Sequence, residues 1–201
     1  MIKAIIFDYG GVLSARASLR SFGKMYAPKF GADYKAFNKL LIECWDLARI
    51  NKIDSNCFWE RLSDFLKIDK HTLRKDFINY FEINYDVLDL IKKLKQNYKL
   101  GLLSNNIEDW LEEIIKEQKL DTIFDVIVTS YKMGIAKPNL DIYREIIRRL
   151  QVEPADCIYV DDSENNIGPA KQLGMKTILF KDTAQLKEQL IALEVRMNKT
   201  F

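Results

Sequence analysis

Carboxylates at two places in the sequence, together with a hydroxyl and a lysine, could bind a metal ion and a phosphate. Asp8 follows the apolar run AIIF, Ser104 ends the run GLLS, Asp161 and Asp162 follow CIYV, and Lys137 lies in GIAKPNL. Mg²⁺ prefers oxygen ligands and is usually held by one or two carboxylates together with substrate phosphate. A lysine and a hydroxyl can bind the oxygens of a transferring phosphoryl group. Asp8 and Asp162, with Ser104 and Lys137, therefore predict Mg²⁺-assisted phosphate chemistry.

Each of these residues also has a purely structural interpretation. Asp8 could be a turn or N-cap residue, the stretch 104–106 could cap the next helix, and Lys137 could be a solvated loop charge. Asp161 and Asp162 are harder to explain in this way, because adjacent carboxylates after a buried strand repel each other and need a cation or donors. Their joint occurrence favours a functional site.

The elements that must position these residues follow from the hydrophobic pattern. From Asp86 onward, helical segments alternate with the short apolar runs YKLGLLS, FDVIVTS, CIYV and KTILF. Such alternation predicts an α/β fold with a doubly wound parallel sheet and helices on both faces. Ligands of these sheets bind outside the carboxyl ends of the strands. The polar residues that follow the runs should therefore meet at one edge.

A helical insertion is predicted between the first strand and the second. Residues 14–84 contain no convincing strand, and segments such as YKAFNKLLIECWDLARI and NCFWERLSDFLKI have apolar residues at helical spacing. Asp54 or Ser55 is the expected N-cap of one of these helices. Near the end of the chain, TAQLKEQLIALEVRM places Leu186, Leu190 and Leu193 on one face. This face predicts a docked closing helix or a dimer contact, and hence a monomer or a homodimer.

Composition excludes several classes of function. Thirty-one basic and 29 acidic residues give a net charge of +2, which provides no broad field for nucleic acid or an anionic membrane, so small molecules are the expected partners. The N-terminal apolar run is too short for a signal peptide or a membrane span, which predicts a soluble cytoplasmic protein. Three cysteines without CxxC spacing predict buried free thiols. A single histidine, His71, leaves little basis for Ser-His-Asp or Cys-His catalysis.

Four ordered motifs resemble those of the haloacid dehalogenase (HAD) superfamily of phosphatases. They are IIFDYGGVL, GLLSNN, AKPNLDIY and IYVDDSENNIGPAKQLGMKTILF. The last motif is most similar to the branch of bacterial glucose-1-phosphate phosphatases and epoxide hydrolase N-domains. The resemblance implies a Rossmann-like core domain over residues 1–13 and 85–201, with an α-helical cap domain over residues 14–84. It also implies a phosphatase that acts on a small phosphorylated metabolite, such as a sugar 1-phosphate.

The resemblance further assigns roles to individual residues. Asp8 would be the nucleophile that becomes an aspartyl phosphate. Ser104, Asn105 and Lys137 would bind the phosphate. Mg²⁺ would be held by Asp8, Asp162 and the backbone carbonyl of Gly10, with Asp161 and Asn166 in supporting positions.

Gly10 departs from the family pattern, since most of these phosphatases have a second Asp at this position. That Asp protonates the leaving group and later activates water, and glycine can do neither. The loss should slow both steps, because general acid–base catalysis contributes roughly 10² to 10⁴ in rate. Asp8 itself is expected to be ionised at neutral pH, because an unperturbed aspartate has a pKa of about 3.9.

Two other functions fit parts of the pattern. A non-catalytic binding protein that kept the fold is consistent with Gly10, and a metal-free 2-haloacid dehalogenase would use the same nucleophile. The pair Asp161 and Asp162 argues against the dehalogenase, since the resemblance implies that those enzymes lack it. Four residues are candidates for substrate specificity: Arg16, Arg20, Trp45 and Arg49.

Overall fold

The computed structural model describes residues 1–16 and 18–196. Its strands are β1 (Ala4–Phe7), β2 (Lys99–Ser104), β3 (Val126–Thr129), β4 (Cys157–Asp161) and β5 (Lys176–Leu179). They form one parallel sheet in the order β3-β2-β1-β4-β5. The predicted α/β fold with a doubly wound parallel sheet is confirmed. Because β1 is central, Asp8 follows it at the middle of the carboxyl edge.

Helices cover both faces of the sheet and fill the connection between β1 and β2. That connection contains α1 (Leu19–Tyr26), α2 (Tyr34–Ala48), α3 (Ser55–Leu66) and α4 (Lys70–Tyr80). The remaining helices are α5 (Tyr85–Leu94), α6 (Glu108–Glu117), α7 (Leu120–Ile123), α8 (Ser130–Met133), α9 (Leu140–Leu150), α10 (Glu164–Gln172) and α11 (Thr183–Ala192). Tyr9–Leu13 forms a tight turn, and short 3₁₀ turns lie at Ala27–Phe30 and Pro154–Asp156.

The core has two parts because side chains alternate across the strands. On β1, Ile5 and Phe7 face a core that includes residues of α5, α6 and α11, whereas Ala4 and Ile6 face α9 and α10. The insertion helices share the first core through buried aromatic side chains, among them Phe22, Phe37, Phe58 and Phe77.

The insertion is helical, as predicted, and joins the sheet through two chain segments. Ser14 pairs with Ile83 in an isolated antiparallel bridge, the Ala15 N–H donates to the carbonyl of Glu82, and the Asn84 N–H donates to the carbonyl of Leu13. These segments, residues 13–15 and 82–84, are called the hinge below. The division into a core over residues 1–13 and 85–201 and a cap over residues 14–84 stays a prediction. Residue 17 and residues 197–201 of those units lie outside the described residues.

Several local predictions can be compared directly with the structure. Asp54, not Ser55, is the N-cap of α3, and its carboxylate accepts from the Cys57 N–H at 2.7 Å. In α11, Leu186 and Leu190 are buried, as a docked helix requires, while Leu193 follows the end of the helix. Cys44 and Cys157 are buried, Cys57 is half-buried, and all three are free thiols. Within the described ranges, no helix is long and apolar enough to cross a membrane.

Candidate active site

The turn after β1 places Asp8 at the base of the site. Asp8 is 7% exposed, and its Oδ1 accepts from the Tyr9 N–H at 2.7 Å. Gly11 has a φ of 71°, a left-handed conformation that favours glycine. Gly10 has an ordinary φ of −66°, and a Cβ built on it meets no atom within 4 Å. The backbone therefore requires glycine at position 11 but not at position 10.

Lys137 is 2% exposed and connects two carboxylates. Its Nζ lies 2.8 Å from Asp8 Oδ1 and 2.8 Å from Asp161 Oδ2. Asn105 fixes the Lys137 backbone, because its Oδ1 accepts from the Lys137 N–H at 2.9 Å and its Nδ2 donates to the Lys137 carbonyl at 3.0 Å. The interpretation of Lys137 as a solvated loop charge is therefore wrong.

Asp161 ends β4 and is fully buried among donors. Its oxygens accept from the Ser163 N–H at 2.9 Å and from Asn166 Nδ2 at 3.1 and 3.2 Å. Tyr159, which the sequence analysis did not select, donates its hydroxyl to Asp161 and accepts from Lys137 Nζ at 3.1 Å. Strand alternation was the available signal, since a tyrosine two residues before a buried carboxylate lies on the same face of the strand.

Three carboxylates gather at this edge of the sheet. One oxygen each from Asp8, Asp161 and Asp162 can be chosen so that all lie within 4.8 Å of one another. Asp161 is already held by four neighbouring groups, whereas Asp162 is exposed and makes no such set of contacts. Asp8 and Asp162 are thus the carboxylates best able to ligate a hard cation, which fits the predicted Mg²⁺ ligands.

Burial and mutual repulsion shift the acidity of this cluster. Burial raises the pKa of Asp8 to about 8, and Asp161 adds to the shift while Lys137 opposes it. Asp162 is exposed as a residue, but partial desolvation of its carboxyl within the cluster and the charge of Asp161 raise its pKa. Burial opposes ionisation of Asp161, but Lys137 and the hydrogen-bond donors hold its pKa below the usual value. The expectation of an unperturbed Asp8 is wrong, because this carboxyl needs a further positive charge to be fully ionised near neutral pH.

Ser104 ends β2 with a buried hydroxyl that has no hydrogen-bond partner in the described part of the chain. The stretch 104–106 does not cap α6, whose N-cap is Ile107 without a side-chain hydrogen bond. An unsatisfied buried hydroxyl costs about 1–3 kcal/mol. A bound acceptor, such as a phosphoryl oxygen, would remove this cost.

A cavity of about 160 Å³ opens above Asp8 between the sheet edge and the insertion. Trp45, Phe81 and Trp110 form aromatic walls, and Arg16 also lines the cavity. Of the other candidate specificity residues, Arg20 lines a separate groove, and Arg49 pairs with Asp46 at 2.8 Å. Trp110 was not selected from the sequence, where only its place on an apolar helix face is visible. The full lining comprises Asp8, Tyr9, Gly10, Ser14, Arg16, Leu19, Trp45, Phe81, Asn105, Asn106, Trp110 and Asp162.

Comparisons with known proteins find relatives among phosphatases and hydrolases. The D-ribitol-5-phosphate phosphatase of Bacteroides thetaiotaomicron is 26% identical over 202 residues, covering 94% of this chain and 97% of that enzyme. The bifunctional epoxide hydrolase 2 of Sus scrofa is 32% identical over 110 residues, which are 51% of this chain and 19% of the hydrolase. This chain therefore corresponds to a small part of the epoxide hydrolase.

The fold is also similar to a solved structure. An aspartate-to-alanine variant of a HAD family enzyme from Bacteroides thetaiotaomicron, in complex with magnesium and inorganic phosphate, superposes with a TM-score of 0.76 at 24% identity, covering 90% of this chain and 95% of that one. The family model described as haloacid dehalogenase-like hydrolase matches residues 5–180. The chain belongs to the haloacid dehalogenase-like hydrolases.

Proposed function

We propose that this hydrolase is a Mg²⁺-dependent phosphatase that cleaves a small phosphorylated metabolite through an aspartyl phosphate on Asp8. The observation that carries the proposal is the contact of Lys137 with Asp8 in a cluster of three carboxylates, at the sheet edge where the neighbouring strand β2 ends in the unpartnered Ser104 hydroxyl. A cation and a phosphoryl group together would satisfy both the acidic cluster and the unpaired hydroxyl.

Each side chain has a defined task in this scheme. Asp8 Oδ attacks phosphorus while Lys137 Nζ and Ser104 Oγ bind the oxygens of the phosphoryl group. Asn105 holds Lys137 through its backbone, and Asn166 with Tyr159 holds Asp161, which in turn orients Lys137. Asp8, Asp162 and the Gly10 carbonyl would hold Mg²⁺, which supplies charge neutralisation for the phosphoryl group.

The named relatives support the reaction class but leave the substrate open. One is a D-ribitol-5-phosphate phosphatase, and a pyrophosphatase of Bacillus mycoides is 26% identical over 71% of this chain. The 160 Å³ cavity favours a compact leaving group, and its aromatic walls suit stacking against a sugar or polyol chain. A sugar 1-phosphate remains the substrate proposed from the sequence.

The test measures phosphate release from an aryl phosphate and a panel of sugar phosphates, with Mg²⁺ and with excess chelator. Asp8→Asn keeps the size of the side chain but removes its nucleophilic charge, and should lower kcat at least about 10³-fold. Asp86→Asn, a change outside the site, is the matched control and should retain activity. Wild-type turnover by Asp8→Asn, or turnover unaffected by chelator, would contradict the proposed mechanism.

The same assays separate the two alternatives. Halide release from 2-haloacids without Mg²⁺ would indicate a dehalogenase, but the acidic cluster would repel the carboxylate of such a substrate. Phosphate binding without turnover of any substrate would indicate a binding protein.

A further inference from the structure

The described residues around Gly10 offer no replacement for the missing acid–base group. Among the described residues that line the cavity, Asp162 is the only carboxylic acid besides Asp8, and it is assigned to the cation. Arg16 is permanently charged and has no acceptor, so it cannot take a proton from water. The other groups of the described lining that could carry a proton are the hydroxyls and side-chain amides.

These remaining polar groups are occupied or unsuited to proton transfer. Ser14 Oγ accepts from the Gly11 N–H at 3.2 Å and donates to the Arg16 carbonyl at 2.7 Å. Asn105 is paired with the Lys137 backbone, and Asn106 Oδ1 accepts from the Ile107 N–H at 2.8 Å. The Tyr9 hydroxyl is buried without a hydrogen-bond partner in the described part of the chain, and a neutral phenol is too weak a base to take a proton from water.

This lack of a proton carrier affects the two chemical steps unequally when the donor is an acyl phosphate. In the first step, Asp8 Oδ bonds to phosphorus, the bond between phosphorus and the leaving oxygen breaks, and its electron pair leaves with a carboxylate that needs no proton. In the second step, water bonds to phosphorus, the bond to Asp8 Oδ breaks with its electron pair returning to the Asp8 carboxylate, and the water loses a proton, which passes to solvent when no base is present. Without a general base, the second step loses roughly 10² to 10⁴ in rate.

We propose that Asp8 takes a phosphoryl group from small acyl phosphates and retains it, so that the phosphorylated protein is the main form while donor is present. This inference rests on the proposed function, because it requires Asp8 to be the nucleophile. The cavity of about 160 Å³ can accommodate a phosphoryl group with a short acyl chain. Acetyl phosphate is a probe of this class.

The experiment incubates the full chain with acetyl phosphate and Mg²⁺ and measures covalent phosphate by intact-protein mass spectrometry. After the donor is removed by desalting, a time course of the mass gives the dephosphorylation rate. We expect near-stoichiometric phosphorylation of the wild type and none of Asp8→Asn.

Gly10→Asp is the decisive variant, because its new Cβ meets no atom within 4 Å. It should dephosphorylate roughly 10² to 10⁴ times faster than wild type and accumulate little covalent phosphate. Gly168→Asp adds the same side chain at another glycine with open space around a built Cβ, and should behave like wild type.

The outcomes separate this inference from the proposed function. If the wild type releases phosphate from acetyl phosphate in an Asp8-dependent way with little covalent phosphate, the inference is overturned and the phosphatase assignment stands. Equal dephosphorylation rates for wild type and Gly10→Asp also overturn it. If neither covalent phosphate nor phosphate release depends on Asp8 with any donor, the proposed function itself fails.

Discussion

Gly10 lies beside the proposed nucleophile in a backbone conformation that any residue can adopt. Without a side-chain acid at position 10, the leaving oxygen departs with its negative charge and receives no proton from that position. We therefore expect kcat/KM, which reports the step that releases the leaving group, to follow leaving-group acidity, with aryl phosphates best, sugar 1-phosphates intermediate and sugar 6-phosphates poorest. Gly10→Asp should raise kcat/KM most for the 6-phosphate, by up to roughly 10² to 10⁴, and least for the aryl phosphate.

Steady-state kinetics on the three substrates tests this expectation, with the Mg²⁺ affinity of both proteins measured in parallel. Equal gains on all three substrates, with metal affinity unchanged, would show that another group already serves as the acid or that chemistry does not limit turnover.

Lys137 lies between two buried carboxylates and is the counter-charge of Asp161, and of Asp8 when Asp8 is ionised. Removing one partner from a buried ion pair costs about 3–5 kcal/mol, because it leaves uncompensated charge. Lys137→Ala should lower the free energy of unfolding by about 3 kcal/mol in urea titrations with chelator present, and less with Mg²⁺. Lys132→Ala is the control: this side chain is 59% exposed in its pair with Glu112, and its loss should cost at most about 1 kcal/mol. Equal losses for the two variants would contradict a role for Lys137 as the buried counter-charge.

Residue chemistry and strand position together were enough to select Asp8, Ser104, Lys137 and Asp162, since each could be assigned to one edge of a parallel sheet. Trp110 could not be selected in this way, because its place in the cavity wall depends on side chains from other elements. Strand alternation places Tyr159 on the same face as Asp161, but its contact with Lys137 depends on a loop that is distant in sequence. The raised pKa of Asp8 was missed for a related reason: burial of its carboxyl depends on the packing of the whole edge.

At the scale of elements, α6 connects the insertion to the loop that is proposed to bind phosphate. Asp109, in its first turn, accepts from Trp59 Nε1 of α3 and from Arg74 Nε of α4, both at 2.8 Å. Arg74 also reaches Glu113 one turn later. Because α6 follows Ser104 and Asn105 closely, this contact connects the position of the insertion to the loop proposed to bind phosphate.

Arg74→Ala should therefore loosen the insertion without disturbing the sheet. We expect faster hydrogen–deuterium exchange of the hinge amides of Ala15 and Asn84, and a higher KM with little change in kcat for an aryl phosphate. Arg144→Ala removes an ion pair to Asp141 on the exposed face of α9 and should change neither quantity. Unchanged hinge exchange in Arg74→Ala would show that the shared aromatic core alone holds the insertion.

Helices and strands could be predicted where the hydrophobic period extends over enough residues to be recognised. The alternating segments after residue 85 gave the strands and long helices, and the Asp54 cap is a local signal. The short helices α7 and α8 were not predicted, because four residues are too few for a helical period to show. The contact of Asp109 with Trp59 and Arg74 joins residues 50 and 35 positions apart, which no local pattern indicates.

For the whole molecule, folding itself assembles the acidic cluster, because β1 and β4 pair in the sheet although their sequences are far apart. An unfolded chain has no such cluster, so Mg²⁺ should bind the folded state preferentially and raise its stability. At a concentration 100 times the dissociation constant, the gain is about 2.7 kcal/mol. Thermal unfolding with increasing Mg²⁺ measures this gain, and Asp8→Asn should reduce it.

The stabilisation should depend on pH through Asp8, whose folded-state pKa is raised to about 8 by burial, with Asp161 adding to the shift. A raised pKa means that the metal-free folded state holds a proton that the unfolded state releases above about pH 4. This contribution to stability is present below about pH 4 and is lost as the pH rises through about 8. The metal-free protein should therefore lose stability from about pH 6 to about pH 8.

Mg²⁺ competes with that proton, so its apparent affinity should rise over the same interval, by up to about tenfold per pH unit, with protons released on binding. The increase in Tm caused by Mg²⁺ should accordingly be larger at about pH 8 than at about pH 6. Asp8→Asn removes the proton exchange of Asp8, so its increase in Tm should be smaller and should depend less on pH than that of the wild type. A Mg²⁺ effect on the wild type that is constant across this range would place the cation away from Asp8, on Asp162 and its exposed surroundings.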